Sequence, residues 1–190
     1  MSYRKAEEKD IEEILVAWWA LHEYNHKFDK KYYAITSKED ALTYKREHYV
    51  KMIKDENFLV LIIESEEKEF AGFLVGKIKT RPPFYWANKI GTLLEISVNP
   101  KYQGQGLFTK AYGEFLRYLK DEGIDLIDAE IDLENSAPLA AYWKINFYKR
   151  AFHLISWIGE SEKFMRKLEK KKKLAKKKKE RGESTENLYI

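Results

Sequence analysis

The chain has 190 residues, 44% of them apolar and 35% charged, and it contains no cysteine. This length and apolar content suffice for one folded domain with a sizeable core, and the lack of cysteine excludes disulfide bonds and a thiol nucleophile. Because the protein has no thiol of its own, any thioester chemistry needs a cofactor.

The apolar runs are too short for a membrane span. A run such as residues 58–63 is far shorter than the roughly 20 apolar residues that a membrane-spanning helix needs. The N-terminal residues are charged and do not resemble a signal peptide, so we expect a cytoplasmic protein.

Charge is unevenly distributed along the chain. Residues 163–190 hold ten Lys, two Arg and four Glu, a balance of +8, so that residues 1–162 carry −4 against the total of +4. This division predicts a folded domain over residues 1–160 and a Lys-rich C-terminal extension over 161–190, either helical or disordered. Contact of the extension with nucleic acid or an anionic surface is an alternative that the sequence does not favour over a solvated tail.

Strand and helix patterns alternate along the chain, which predicts an α/β domain. The first strand covers residues 3–6, a helix capped by Asp10 follows it, and a second helix begins after Ser37. Two further strands with a short connection, residues 58–63 and 70–78, predict an antiparallel hairpin.

The second half of the chain contains a βαβ unit. A strand over residues 89–98, a helix that ends at Gly123 and a strand over 126–131 predict two parallel strands. A short helix over 137–144 and one or two strands over 147–158 complete the pattern. We therefore expect a mixed central sheet of about six to seven strands with helices on both faces.

A glycine-rich turn connects the strand that ends at Val98 to the next helix. Gly104 and Gly106 lie in this turn. Unpaired N–H groups at a helix N-terminus attract anions, and glycine lets the backbone approach a phosphate closely. The turn predicts a phosphate-bearing ligand, although a tight turn without a ligand explains two glycines equally well. It lacks the Lys-Ser/Thr pair of a P-loop and the third glycine of the dinucleotide-binding pattern.

The same turn resembles the acyl-CoA signature of the GNAT superfamily of N-acetyltransferases, Gln/Arg-x-x-Gly-x-Gly/Ala. Gln103 and Gly106 match this signature, and the preceding Val-Asn-Pro-Lys-Tyr, residues 98–102, is also typical of the family. Phe108 stands at the last position, where the family usually has Gly or Ala. Its side chain either crowds a bound pyrophosphate or turns away from it.

A second resemblance to the family lies further along the chain. The family commonly has Asn after the fifth strand, Tyr seven residues later and then Gly-Phe, and this chain has Asn135, Tyr142, Asn146 and Phe147. Asn146 replaces the glycine, and asparagine is the next best residue for a left-handed helix cap. Together the two motifs extend the resemblance over residues 3–158.

The resemblance implies a GNAT fold and transfer of acetyl from acetyl-CoA to an amine by direct attack, with no metal. In this family, amides of the turn hold the pyrophosphate, the fourth strand and the Asn hold the pantetheine arm, and the Tyr protonates the leaving thiolate. The resemblance therefore implies that Tyr142 is the general acid in this chain. Cofactor binding is assigned to Ile96, Ser97, Val98, Gln103, Gly104, Gln105, Gly106, Leu107, Phe108 and Asn135.

Glu95 is the candidate for the base that takes the proton of the attacking amine. It lies on the fourth strand, where some amine acetyltransferases of the family place acidic residues, but it is equally well explained as an ion-paired strand residue. Strand alternation places it on the opposite face from Ile96 and Val98. Four histidines are other candidate bases, and each alone is more often structural: His22, His26, His48 and His153.

Aromatic residues are concentrated where the family builds its acceptor pocket, in the first two helices and in the loop before the fourth strand. These are Trp18, Trp19, Tyr24, Phe28, Tyr32, Tyr33, Phe84, Tyr85 and Trp86. Such rings either line a pocket for a small cationic amine, which an acidic domain also favours, or belong to the core and surface. A protein or peptide acceptor and a non-catalytic CoA-binding module are the alternatives, and the sequence does not separate a monomer from a homodimer.

Overall fold

The computed structural model describes residues 2–132, 134–151 and 155–181. Its strands and α-helices are β1 (Ser2–Lys5), α1 (Ile11–Asn25), α2 (Lys38–Lys54), β2 (Phe58–Glu64), β3 (Phe70–Thr80), β4 (Lys89–Val98), α3 (Leu107–Asp121), β5 (Ile127–Ala129), α4 (Ser136–Lys144) and α5 (Ile158–Glu180). The chain divides into two compact units, Met1–Phe147 and Tyr148–Ile190. The first contains the sheet with α1 to α4, and the second contains α5. No helix in the described ranges is long and apolar enough to cross a membrane.

The strands form a mixed sheet in the order β1-β2-β3-β4-β5, in which only β4 and β5 are parallel. The predicted α/β class and the parallel pair are confirmed, but the described residues form five strands, so the predicted six to seven are too many. The further strands were expected over residues 147–158. Residues 148–151 are exposed and form no strand, because side chains with no buried face do not support one. Residues 152–154, which include His153, lie outside the described residues.

Local sequence signals explain most helix ends. The Ser37 hydroxyl accepts a hydrogen bond from the Asp40 N–H at 3.2 Å and so caps α2, as predicted. Asp10 begins α1 without a capping hydrogen bond to it, because its carboxylate instead receives the Arg4 guanidinium at 2.7 Å and the Glu7 N–H at 2.8 Å. Its role is therefore to join β1 to the short turn before α1.

Apolar side chains alternate between the two faces of the sheet and form two core clusters. In β3, Leu74 belongs to the cluster beneath α3, whereas Val75 belongs to the cluster beneath α1 and α2. Phe115 and Leu119 of α3 are buried in the first cluster. Helices thus cover both faces of the sheet, as predicted.

The ladder between β3 and β4 contains a register shift. Val75 pairs with Glu95 and Gly76 pairs with Leu93, so that Leu94 has no partner and forms a bulge. On its other edge, β4 pairs with β5 only over Gly91, Thr92 and Leu93. Beyond the bulge, the second edge of β4 is therefore not covered by a strand in the described part of the chain.

The packing of α3 on β3 predicts a clear difference between two glycine substitutions. A Cβ on Gly76 would lie 2.1 Å from a ring atom of the fully buried Phe115, whereas a Cβ on Gly113 of α3 has no heavy atom within 4 Å. Gly76→Ala should lower the free energy of unfolding by about 1–3 kcal/mol. Gly113→Ala should leave it unchanged or raise it by up to about 1 kcal/mol, since alanine favours a helix. Denaturant unfolding of both variants measures the difference, and equal effects would contradict this packing.

Candidate active site

The open edge of β4 forms one side of the candidate site. Beyond the bulge, side chains alternate so that Glu95 and Ser97 lie on the α1/α2 face while Ile96 and Val98 pack against the cluster beneath α3. The backbone N–H and C=O groups that point away from β3 meet no strand of the described chain. These groups are available to an extended ligand lying beside β4.

The glycine turn follows directly from this edge. Gln103 donates from Nε2 to the carbonyl oxygen of Val98 at 3.2 Å, which holds the turn against the strand end. Gly104 and Gly106 have φ of +77° and +73°, and no heavy atom lies within 4 Å of a Cβ built at either position. The left-handed conformation favours glycine at both positions. Residues 103–106 are exposed, so the start of α3 is uncovered at this surface.

Phe108 does not cover the turn. Its ring lies parallel to the Tyr112 ring at 6.4 Å between centroids and tilted against the Tyr142 ring at 5.4 Å. It packs against the cluster beneath α3, and it lies farther than 4 Å from the place that a Cβ would take on Gly104 or Gly106. Of the two orientations considered from the sequence, the structure has the one in which the ring turns away.

Tyr142 of α4 is buried in an aromatic group next to the turn. Its ring meets Phe147 edge-on at 5.1 Å, and its hydroxyl receives no hydrogen bond from the described residues. Burial, and then the neighbouring Tyr112, raise the pKa of Tyr142, so the phenol keeps its proton at neutral pH. Asn146 adopts the predicted left-handed conformation at φ 74°, and this turn returns Phe147 so that its N–H donates to the Tyr142 carbonyl at 3.1 Å.

Asn135 is buried at the start of α4, and a tyrosine already contacts it. The Tyr24 hydroxyl donates to Asn135 Oδ1 at 3.4 Å, and the Tyr33 hydroxyl donates to Asp132 Oδ2 at 3.2 Å. Burial, and then the Asp132 charge, raise the pKa of Tyr33 to about 12, so this hydroxyl remains a donor. The end of α1, which carries Tyr24, and the following segment, which carries Tyr33, are thereby fastened to the segment between β5 and α4. No sequence motif singles out Asp132, because this contact joins residues 99 positions apart.

Glu95 has a partner for each carboxylate oxygen. Lys45 of α2 donates to Oε1 at 2.5 Å, and the Tyr49 hydroxyl, also on α2, donates to Oε2. Burial, and then the Glu95 charge, raise the pKa of Tyr49, which therefore stays a hydrogen-bond donor. The Lys45 ammonium also lies over the Trp18 ring at 4.8 Å and the Tyr49 ring at 5.4 Å. Neither Lys45 nor Tyr49 was predicted from the sequence, although their i,i+4 spacing indicates that they share one face of α2.

The described histidines lie on α1, at its C-terminal cap or on α2, rather than on the open edge. His22 stacks on Trp18 at 5.6 Å, and burial followed by the nearby His26 lowers its pKa. His48 stacks on Tyr44 at 5.8 Å, and burial followed by the Lys45 charge lowers its pKa. Neither forms a hydrogen bond with Glu95, whose two oxygens are bonded by Lys45 and Tyr49. Within the described ranges, no three metal-binding side chains come together.

The aromatic residues predicted for an acceptor pocket fall into separate groups. Trp18 and Trp19 contact each other and the lysines of α2, and Tyr24 and Tyr33 fasten the segment between α1 and α2. Phe84 and Trp86, by contrast, are 80% and 90% exposed in the loop before β4. The first group therefore lies near Glu95, through Lys45, and the second group contacts Asn135 and Asp132.

A cleft of about 710 Å³ lies between α1 and the sheet. Ser97 and Asn99 at the end of β4 line it together with Val16 of α1, but Glu95 and Tyr142 do not. Because neither candidate catalytic residue lines the cleft, we do not assign it to the acceptor.

Comparison with models of known protein families gives a match over most of the chain. The model of the acetyltransferase (GNAT) family matches residues 10–152, which is well over half of the chain. The chain therefore belongs to the GNAT acetyltransferase family. The matched range includes the glycine turn, Asn135 and Tyr142.

Individual relatives are more distant. A mycothiol acetyltransferase of Kytococcus sedentarius is 28% identical over 94 residues, which are 50% of this chain but only 29% of that protein. This chain thus matches less than a third of that relative's length.

Solved structures share the fold at low sequence identity. The structure of a tetramutant of a Bacillus halodurans protein is 19% identical in sequence with a TM-score of 0.72, and the match covers 82% of this chain and 100% of that chain. An aminoglycoside 6'-N-acetyltransferase of Acinetobacter baumannii is 14% identical with a TM-score of 0.63, covering 83% and 98%. A "predicted acetyltransferase with acetyl-CoA" of Clostridium acetobutylicum is 18% identical with a TM-score of 0.63, covering 84% and 97%.

Proposed function

We propose that the protein is a cytoplasmic N-acetyltransferase that transfers acetyl from acetyl-CoA directly to a primary amine, with a small cationic amine as acceptor. The observation that carries this proposal is the open edge of β4 running into an uncovered glycine turn at the start of α3. An extended edge followed by helix amides suits a ligand with an amide-containing arm and a pyrophosphate, and acetyl-CoA has both.

The residues next to this surface fit the parts of acetyl-CoA. Backbone amides of residues 103–108 hold the pyrophosphate, and the backbone of residues 96–98 pairs with the amides of the pantetheine arm. The Asn135 side chain, whose Oδ1 accepts from Tyr24, keeps its amide N–H groups for the same arm. Phe108 leaves the turn open, which supports this assignment.

In the proposed reaction a neutral amine nitrogen attacks the acetyl carbonyl. A C–N bond forms, the C–S bond breaks, and no acyl-enzyme is made, in keeping with a chain that has no cysteine. The nitrogen loses its proton to Glu95 as it becomes positively charged, and Tyr142 gives its proton to the departing thiolate. Since burial keeps the Tyr142 phenol protonated, it is suited to act as the acid.

A small acceptor is favoured by the segment between α1 and α2. The contacts of Tyr24 with Asn135 and of Tyr33 with Asp132 hold this segment close to the start of α4, which narrows the approach for a folded protein. The −4 balance of residues 1–162 favours a cationic molecule. Acetylation of a protein or peptide and CoA binding without turnover remain the alternatives that experiment must separate.

The first experiment is a calorimetric titration with acetyl-CoA, followed by measurement of thiol release against a panel of small amines and peptides. We expect saturable binding, and thiol release with primary amines but not with peptides. Thiol release with peptides alone would indicate that the acceptor is a protein or peptide. Binding without release on any acceptor would assign the non-catalytic module, and no binding would refute the proposal.

Tyr142→Phe tests the acid. The substitution keeps the ring packing on Phe108 and Phe147 but removes the donor, so kcat should fall about 10²-fold or more while the Kd of acetyl-CoA changes little. Because the pKa of Tyr142 is raised above 10, wild-type activity should persist as pH rises through 10 instead of falling there. Tyr112→Phe is the matched control, since Tyr112 is a buried neighbour with no proposed chemical role. Equal kcat values for the Tyr142 variant and wild type would remove this residue from the mechanism.

Glu95→Gln tests the base. Glutamine keeps an oxygen that accepts from Tyr49 but cannot take a proton, so the rise of rate with pH should become shallower and kcat should fall about 10²-fold. Glu114→Gln on α3, which loses only a surface ion pair with Arg117, is the control. A pH–rate profile identical to wild type would exclude Glu95 as the base.

A further inference from the structure

Glu95 and the rings around it form a site for a positive charge, and the protein fills this site with its own lysine. The Lys45 Nζ lies 2.5 Å from Glu95 Oε1, 4.8 Å from the centroid of Trp18 and 5.4 Å from that of Tyr49. The side chains of Lys45 and Glu95 are each only 17% exposed. A carboxylate flanked by aromatic faces combines the two interactions by which proteins hold ammonium groups.

The site is held in place by contacts that do not involve Lys45. Tyr49 is fully buried, donates to the second oxygen of Glu95 and packs edge-on against Phe73 at 6.2 Å. Glu95 lies on β4 and pairs there with Val75 of β3. Carboxylate and rings should therefore stay in position when the ammonium leaves.

Lys45 reaches this site from α2 on a flexible four-carbon stem. Every contact made by its ammonium is a contact that the end of another primary alkylammonium can reproduce, because none depends on the lysine backbone. Exchange of the Lys45 ammonium for that of another molecule therefore replaces one charge-assisted hydrogen bond with another, and the Glu95 carboxylate is not left unpaired.

We propose that Glu95, Trp18 and Tyr49 form the binding site for the acceptor's ammonium group, and that Lys45 occupies it until the acceptor displaces it. This inference rests on the proposed function and narrows the class of acceptor amine. The acceptor class is a primary ammonium on an unbranched alkyl chain, like the lysine side chain that it replaces. A quaternary ammonium has no N–H to donate to Glu95 and is excluded as an acceptor. Displacement of Lys45 explains how the Glu95 carboxylate can both bind the amine and accept its proton.

The test removes Lys45 and supplies small ammonium ions. Lys45→Ala should lower the thermal midpoint of unfolding, and n-propylammonium should restore it in part, whereas tetramethylammonium and n-propanol should not. Propylammonium should have little effect on wild type or on Lys51→Ala, a loss of an exposed lysine from the same helix. The double variant Lys45→Ala/Glu95→Gln should not respond. A response of the double variant, or an equal response of Lys51→Ala, would overturn the inference.

Kinetics give a second readout that separates this inference from the proposed function. If Lys45 leaves the site open about a tenth of the time, its removal should lower the KM for propylamine about tenfold. Lys45→Met keeps the packing of the lysine stem and serves as the second variant if Lys45→Ala does not fold. It should lower the KM for propylamine to the same extent. Restored stability with no thiol release from any variant would support the site and refute the proposed activity. Thiol release with a KM unchanged in both Lys45 variants would support the activity and refute the site.

Discussion

The candidate site depends on one constraint: among the described residues, β4 has a strand beside its second edge for only part of its length. β5 pairs with Gly91, Thr92 and Leu93, and beyond the bulge at Leu94 the polar groups of that edge have no strand partner in the described chain. Backbone groups at the margin of a core need hydrogen-bond partners, so an extended ligand with amides of its own is well matched to this edge. The glycine turn at the end of the same strand places helix amides where such a ligand would continue.

The same strand separates the two candidate catalytic groups. Because side chains alternate along β4, Glu95 lies on the α1/α2 face, whereas Tyr142 belongs to the cluster on the α3 face. A ligand lying along the open edge is accessible from both faces. The proposed base can then act on the incoming nitrogen from one side while the proposed acid serves the departing sulfur from the other, as direct transfer requires.

Local signals in the sequence predicted the parts of this structure that depend on neighbouring residues. The cap at Ser37 and the left-handed Asn146 follow from backbone chemistry within a few positions. The contacts of Glu95 with Lys45 and of Tyr33 with Asp132 join residues 50 and 99 positions apart, so no short pattern indicates them. The predicted strand count was too high because apolar residues after Phe147 resemble a strand, although residues 148–151 are exposed and form none.

The pair of Lys45 and Glu95 connects stability to selectivity. A carboxylate that is largely buried costs free energy if it stands alone, so the protein without acceptor needs a cation at this position. An internal lysine supplies that cation in an otherwise acidic domain. The acceptor must then compete with an ammonium already in place, and only a molecule that reproduces its N–H donors and its fit over Trp18 can do so. The contact that stabilises the protein without acceptor is thus the contact that defines which amines can enter the site.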